Sequence, residues 1–247
     1  MMRMTFRTFT LLSAALAASA CGTSSSARQD DPLYVWNKGV FAFNKAADKV
    51  VVAPAARTYH NVIPKPGRDG VRNALGNLRS PVIFGNDLLQ GKFGRAGKTL
   101  ARFGINSTLG IAGLFDVAKR AGIKGHTEDM GQTLAVWGIS SGPYVMLPIL
   151  GPSNFRDTTG FILDIGLEPL TYMRFNGRHA VLAGRFGVNG VSIREANLDT
   201  VEVLRNTSID EYASLKSAYE QLRANAISDG QVNIDDLPDY DEYEDEE

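Results

Sequence analysis

Serine, aspartate and histidine residues occur in an order that could support hydrolysis. Residues 138–142 read Gly-Ile-Ser-Ser-Gly and place Ser140 at the centre of a G-x-S-x-G pattern. Asp157 or Asp164, followed by His179, would complete the order nucleophile, acid and base. The pattern works only where a buried strand precedes the serine and a helix follows it. A proline directly follows the second glycine, and no segment alternates as a strand does, so a membrane-associated serine hydrolase is the weakest interpretation.

The sequence gives little support for a metal site or a phosphate-binding site. The histidines His60, His126 and His179 are too far apart to show metal-ligand spacing. No glycine-rich loop leads into the Lys-Ser/Thr ending of a phosphate-binding motif. We therefore predict a protein that is not an enzyme, with no catalytic residue, no metal site and no cofactor.

The N-terminus has the layout of an export signal. Arg3 and Arg7 precede an uncharged apolar stretch at residues 9–18, and small residues follow it. This order predicts a signal peptide at residues 1–20. About ten apolar residues are too few to cross a bilayer, which takes about 20. An exported protein gives no reason to expect a nucleic-acid partner.

Cys21, the only cysteine, follows the small residues directly and resembles the acylated cysteine of a bacterial lipobox. We predict lipid attachment at Cys21, with residues 21–30 as a flexible tether. The alternative is a plain secretory signal cut near Ala20, which would leave Cys21 as a free thiol. Gly22 is not the aspartate that retains enteric lipoproteins in the inner membrane, and this favours the outer membrane.

The C-terminus is strongly acidic. Residues 229–247 contain ten Asp or Glu and no Lys or Arg, so the net charge of −1 becomes +9 for residues 1–228. A basic body therefore carries an acidic tail. We predict a disordered, solubilising tail; alternatively, it meets a basic partner or folds over the basic faces of the chain.

Residues 31–228 are predicted to form one all-α domain. Asp31 and Pro32 favour a helix start, and Pro54 should end that helix. The predicted helix has an apolar face on one side and three lysines on the other. This arrangement suits an interfacial membrane helix as well as a core helix. Its predicted interfacial residues are Trp36, Val40, Phe43, Lys38, Lys45 and Lys49.

The remaining helices are predicted from caps and periodicity. One should run from Pro64 to Leu78 and another should start at Ser80 and Pro81. Later in the chain, one helix should start at Ser153 and another should span residues 190–205. A capping box of Ser208 with Glu211 should start the last helix. A further helix carries Arg95, Lys98 and Arg102 on one face, as possible contacts for lipid headgroups. Residues 137–152 are apolar but broken by Gly and Pro, as in a turn or a re-entrant hairpin.

A series of motifs in fixed order resembles the MlaA/VacJ lipoprotein family over residues 31 to about 173. The motifs are Asp31-Pro32-Leu33, residues 37–44 (NKGVFAFN), 64–70 (PKPGRDG), 86–91 (NDLLQG), 102–116 (RFGINSTLGIAGLFD), 129–134 (DMGQTL), Trp137-Gly138, Gly142-Pro143-Tyr144, Leu147-Pro148, Gly151-Pro152 and Arg156-Asp157.

The resemblance implies a ring of amphipathic helices in the inner leaflet of the outer membrane, facing the periplasm around a central channel. Such a protein takes mislocalised phospholipid from the outer leaflet and passes it to a periplasmic lipid carrier of the Mla pathway. It also implies association with trimeric porins. The retrograde direction comes only from the resemblance, and neither the lipid class nor the porin follows from the sequence. A passive tethering lipoprotein is the alternative function.

The resemblance also places a hairpin beside the channel, from about Met130 to Tyr144. We predict that it gates the channel; the alternative is a rigid structural turn. The residues assigned to it are Met130, Gly131, Trp137, Gly138, Gly142, Pro143 and Tyr144.

Overall fold

The computed structural model describes residues 31–231. The predicted signal peptide, Cys21, the tether and all but the start of the acidic tail lie outside these residues. The helices are α1 Tyr34–Ala47, α2 Ala53–Val62, α3 Lys65–Leu89, α4 Phe93–Thr108, α5 Val117–Arg120, α6 Met130–Val136, α7 Phe155–Leu167, α8 Arg178–Ala196, α9 Leu198–Thr207 and α10 Glu211–Ile227. The predominantly helical prediction is confirmed.

The prediction that strands are absent is wrong. Strands β1 (Tyr144–Leu147) and β2 (Gly151–Asn154) pair antiparallel, with Tyr144 opposite Asn154 and Leu147 opposite Gly151. The turn between them needs left-handed backbone at Ile149 (φ 67°) and Gly151 (φ 88°). Four-residue strands containing proline carry too little alternation to be recognised in a sequence.

Neither proline that was predicted to divide helices does so. At Pro54 the chain passes from α1 through a π-helical turn, Asp48–Val52, straight into α2. The wider π turn makes room where a proline ring would clash with the carbonyl four residues earlier. Pro81 lies inside the 25-residue helix α3. Packing of α3 against α4, α7 and α8 compensates for the roughly 3 kcal/mol that an interior proline costs.

Other predicted boundaries shift because different side chains cap the helices. Leu33 occupies the N-cap position of α1 without a side-chain cap, and its amide donates to Asp31. Asn154 rather than Ser153 caps α7 through its side chain. The predicted helix at 190–205 is two helices, since the Asn197 side chain donates to the Ile193 carbonyl at 2.8 Å where α8 ends. The predicted capping box is also wrong: Asp210 caps α10 by accepting from the Tyr212 and Ala213 amides.

The elements pack in a closed circuit. Following neighbours in space, α2 contacts α8, α8 contacts α3, and α3 contacts α7; α7 contacts β2, and β1 contacts α1, which continues into α2. Helix α10 crosses to α6, β2 and α9. Among residues 31–231, no helix is both long enough and apolar enough to cross a membrane.

The distribution of polarity is inverted relative to a water-soluble domain. Of the largest fully buried side chains only Met146 is apolar; the others are Glu128, Asn37, Asn86, Thr133, Asp87 and Ser192. Large apolar side chains lie on the surface instead: Phe93, Ile149 and Ile162 are 71%, 67% and 62% exposed. An exposed apolar surface of this extent indicates contact with a membrane or a partner.

Candidate functional site

The hairpin β1–β2 is attached to α1 by two asparagine side chains. Asn37 and Asn44 are seven residues apart, two helical turns, and therefore share a face. Asn37 accepts from the Met146 amide at 2.7 Å and donates to the Tyr144 carbonyl at 3.1 Å. Asn44 accepts from the Ile149 amide at 2.7 Å and donates to the Leu147 carbonyl at 2.9 Å. The two amides thus take the place of a neighbouring strand along the edge of β1.

An aromatic cluster covers the same strand. Tyr212 of α10 meets Tyr34, Phe41 and Tyr144 in edge-on contacts, with ring centroids 5.7 to 6.1 Å apart. Its hydroxyl donates to the buried Asp31 carboxylate. Burial and this carboxylate raise the pKa of Tyr212 well above its ordinary value. The start and the end of the domain therefore meet over the hairpin.

Helix α6, which leads towards the hairpin, packs directly on α7 through two glycines. A Cβ added to Gly160 of α7 would lie 2.3 Å from the Gly131 backbone nitrogen and 2.6 Å from its Cα. Such an approach excludes any side chain. Gly131 is therefore a packing residue, whereas the sequence placed it in a pliable hairpin.

One arginine of α10 joins the N-termini of both helices. Arg223 donates to Asp129, the N-cap of α6, at 2.6 and 2.7 Å, and to Asp157 in the first turn of α7 at 3.1 Å. Tyr219 also donates to Asp157, at 2.5 Å. Burial raises the pKa of Asp129, but the hydrogen bonds and charge of Arg223 outweigh it and lower that pKa to about 2. Arg223 thus holds α10 against the two helices that flank the hairpin.

A second polar network joins α3, α6 and α7. The Asp164 carboxylate accepts from Asn86 at 3.0 Å and from the Met130 amide at 3.1 Å. Asn86 in turn accepts from Thr133 at 2.6 Å. Burial raises the pKa of Asp164 above its ordinary value, although these two hydrogen bonds act to lower it. Buried polar networks of this kind define one arrangement of the helices when every member has a partner.

Three potential metal ligands also lie together, although sequence spacing predicted no metal site. Ligand atoms of Asp87, His126 and Glu128 all lie within 4.8 Å of one another. Arg95 is 2.8 Å from Glu128 and Lys92 is 3.3 Å from it. These two cations supply the countercharge that the buried carboxylates need, so the cluster is explained as an ion-pair network.

The predicted hairpin residues divide into two groups. Met130 and Gly131 lie in the buried helix α6, so the predicted hairpin of residues 130–144 is wrong; the hairpin is residues 144–154. Trp137, Gly138, Gly142 and Pro143 form the exposed connection from α6 to β1, and Tyr144 begins β1. Gly138 and Gly142 have φ of 85° and 65°, which favours glycine.

The predicted interfacial face of α1 is wrong in part. Trp36 and Phe43 are 49% and 54% exposed, but Val40 is buried in the core. Lys38 and Lys45 do not face away from the protein, because they pair with Asp210 at 3.3 Å and Glu211 at 2.7 Å. Of the three lysines, only Lys49 forms no ion pair with a residue of the described range.

The predicted headgroup contacts differ in availability. Arg95 pairs with Glu128 and Asp229, and Arg102 pairs with Asp116 at 2.9 Å. Lys98 is exposed, beside a cavity of about 520 Å³ that Lys124 also lines. Of this set, Lys98 has the free charge that a headgroup contact requires.

The residues of the hydrolase pattern do not form the required arrangement. Ser140 is exposed in the connection between α6 and β1, so a helix precedes it and a strand follows it, the reverse of the elbow. Asp157 and Asp164 belong to the two networks around Arg223 and Asn86, and His179 is exposed in α8.

Sequence reasoning missed the residues that build these contacts, chiefly Asn37, Asn44, Gly160, Arg223 and Asn86. Two signals were present. Asn37 and Asn44 share a helix face that is otherwise apolar, and Asp129 followed by Gln132 is an N-cap signature for α6. The partners of these residues are distant in the chain and could not be identified from spacing.

Comparison with known proteins finds a matching family model, similar sequences and a similar solved structure. The family model described as MlaA lipoprotein matches residues 29–226. An uncharacterised protein of Rickettsia bellii is 35% identical over 199 residues, covering 80% of this chain and 76% of that one. The intermembrane phospholipid transport system lipoprotein MlaA of Haemophilus influenzae is 31% identical over 240 residues, covering 93% and 94%. A structure solved in work on the structural basis for maintenance of bacterial outer membrane lipid asymmetry superposes with a TM-score of 0.71 at 33% identity, covering 80% of this chain and 98% of that one.

Proposed function

Because the chain belongs to the MlaA lipoprotein family, we propose that it removes phospholipid mislocalised to the outer leaflet of the outer membrane. It passes this lipid to a periplasmic carrier protein and so maintains the lipid asymmetry of that membrane. The lipid is bound and moved without chemical change. The named relative, an intermembrane phospholipid transport system lipoprotein, supports phospholipid as the cargo.

The inverted polarity of the fold is the observation that carries this proposal. A phospholipid combines a charged headgroup with two acyl chains, and burying an unpaired charge in hydrocarbon is very costly. A circuit of helices with carboxylates, amides and hydroxyl groups inside and large apolar side chains outside meets both demands. The headgroup passes along the polar interior while the outer surface contacts acyl chains.

The placement in the membrane is part of the same proposal. Acylation at Cys21 anchors the chain to the inner leaflet, facing the periplasm, and exposed residues such as Trp36 and Phe43 enter that leaflet. Trimeric porins of the same membrane are the proposed lateral partners. An apolar surface without a spanning helix suits a protein that lies within one leaflet.

The gate of the proposed channel is the exposed connection at residues 137–143. Gly138 and Gly142 can change backbone conformation there, since neither carries a side chain. Asn37 holds β1, and Asn44 holds the end of β1 and Ile149 in the turn, so movement is confined to the exposed connection.

The test is the amount of phospholipid in the outer leaflet of cells that lack the protein, measured with an enzyme that acylates lipid A from outer-leaflet phospholipid. We expect a rise on deletion and a return to the starting level when the wild-type chain is restored. An unchanged level, in a membrane that is otherwise altered, would favour the passive tether.

Replacing the serine of the G-x-S-x-G pattern separates transport from hydrolysis. Ser140→Ala should restore outer-leaflet phospholipid to the wild-type level, because Ser140 lies in a connection without the elbow geometry. Loss of rescue at normal protein abundance would return the hydrolase to consideration.

A further inference from the structure

Four cations without an ion-pair partner lie on α4, α5 and the chain that follows. Lys98 and Lys124 line one cavity, and Lys119 and Arg120 line a second, larger one. All four are exposed, and none pairs with another residue within 31–231. The two helices pack on one another. We call Lys98, Lys119, Arg120 and Lys124 the basic patch.

The start of the acidic tail is already tied to the edge of this patch. Asp229 lies 2.6 Å from Lys92 and also pairs with Arg95, near the beginning of α4. Lys98 follows Arg95 by three residues and therefore lies on the same helix face, one turn further along. The chain thus leaves the described structure beside the basic patch.

The remaining tail has the length and charge to cover the patch. Residues 232–247 contain nine acidic residues and no basic residue. Sixteen residues extend to about 50 Å, whereas the 16 residues of α4 span about 24 Å. Tethering raises the local concentration of the tail at the patch to about the millimolar range.

We propose that residues 232–247 bind the basic patch of the same chain as an intramolecular electrostatic cover. The contact continues the ion pairs that Asp229 makes with Lys92 and Arg95. It occupies cations that would otherwise attract anionic headgroups, so the tail regulates access of anionic lipid to this surface. This inference concerns a surface that the transport proposal does not use, and its test is independent of lipid transport.

The test measures the reactivity of single lysines in the purified full-length mature lipoprotein in neutral detergent. An amine-acetylating reagent is applied briefly, and each lysine is quantified by mass spectrometry. The wild type is compared with a variant in which all nine acidic residues of 232–247 are replaced by Asn or Gln. Lys49, exposed and without an ion pair on another element, is the internal control.

We expect acetylation of Lys98, Lys119 and Lys124 to rise several-fold in the neutral-tail variant, with Lys49 unchanged. High salt should raise the wild type to the same level, because it screens exposed charges. Carbodiimide, which joins carboxylates to amines, should link tail peptides to the patch lysines in the wild type. Equal acetylation of both proteins would overturn the proposal.

Nanodiscs distinguish the tail from a membrane as the occupant. If phosphatidylglycerol nanodiscs protect the patch lysines equally with either tail, and the tail alone does not protect them in detergent, the patch is a membrane contact and the proposal fails. If the wild-type tail reduces the additional protection by phosphatidylglycerol, relative to the neutral tail, the tail competes with anionic lipid as proposed.

Discussion

At the scale of single residues, a few side chains hold elements that are far apart in the sequence. Arg223 binds Asp129 and Asp157, which lie 94 and 66 residues away from it. Both carboxylates stand at helix N-termini, where the helix dipole also favours negative charge. Removing the arginine would leave Asp129 without its cationic partner and Asp157 with Arg156 alone.

Arg223→Gln should lower the free energy of unfolding by about 3–5 kcal/mol, the usual cost of removing one partner of a buried ion pair. Thermal or urea unfolding in detergent measures it. Arg57→Gln is the matched control, since Arg57 is exposed and makes no ion pair within the described residues; it should change stability by less than about 0.5 kcal/mol. Equal effects of the two would show that the Arg223 network is not stabilising.

The pH dependence follows from the same pair. The Asp129 pKa is about 2 in the folded protein, against the ordinary value of 3.8 for an aspartate in the unfolded chain. Its contribution is therefore complete above about pH 4 and is lost as the pH falls towards 2. Arg223→Gln should flatten the stability profile over this range, measured by unfolding at a series of pH values, while Arg57→Gln should retain the slope.

The contact between Gly131 and Gly160 predicts a steric effect. Gly160→Ala should destabilise the protein by about 1–3 kcal/mol or more, because the added methyl meets backbone rather than a movable side chain. Gly190→Ala in α8 is the control, since nothing lies near its Cβ; alanine there should be neutral or stabilising by up to about 1 kcal/mol. Melting temperatures of the two variants are the readout, and a stable Gly160→Ala would contradict the packing.

At the scale of elements, the hairpin is stable because α1 supplies the partners that a third strand would supply. A two-stranded ribbon is only marginally stable alone in water. Asn37 and Asn44 satisfy backbone groups of β1, and Tyr212 covers Tyr144. Helix α1 and the hairpin therefore act as one unit beside the exposed connection from α6.

Asn37→Leu should detach the edge of β1. The substitution leaves the Met146 amide unsatisfied, at a cost of about 1–3 kcal/mol. Hydrogen exchange should show faster exchange at residues 144–147, with α4 unaffected. Asn61→Leu, at an exposed position whose side chain makes no hydrogen bond within residues 31–231, is the control. Unchanged protection of β1 would mean that the asparagines do not hold it.

At the scale of the whole molecule, we propose that the lipid anchor at Cys21 and the apolar surface act together. The exposed apolar side chains are spread over α1, the α4–α5 loop, α7 and α8, including Phe43, Ile111, Ile162 and Phe186. Such a surface alone favours aggregation in water, and the proposed lipid anchor would keep it at the membrane from the start.

Cys21→Ala in a chain exported by an unrelated cleavable signal should remove the protein from the outer-membrane fraction. We expect it in the periplasm or in aggregates, without rescue of outer-leaflet phospholipid in deletion cells. Immunoblots of fractionated cells and the acylation assay measure this, with Ser24→Ala as the control. Normal fractionation and rescue would show that the apolar surface suffices without the anchor.

Helical class and the family could be predicted from the sequence, because they depend on local composition and on ordered short motifs. Helix ends were predicted less well. Pro54 and Pro81 predicted breaks from local cost alone, but the π turn and the packing of α3 outweigh that cost. The same limit applied to Lys38 and Lys45, whose partners lie on α10.

The sequence by itself determined an amphipathic helical chain with a basic body, an acidic end and a cysteine that follows a run of small residues, since these are properties of residue order. Only the tertiary structure decided which side is inside. It buried Asn37, Asn86 and Asp87 and exposed Phe43, because a polar group is buried only when a partner, often far along the chain, satisfies it. Periodicity shows that a helix has two faces, and the hydrogen-bond partners determine which face is turned inward.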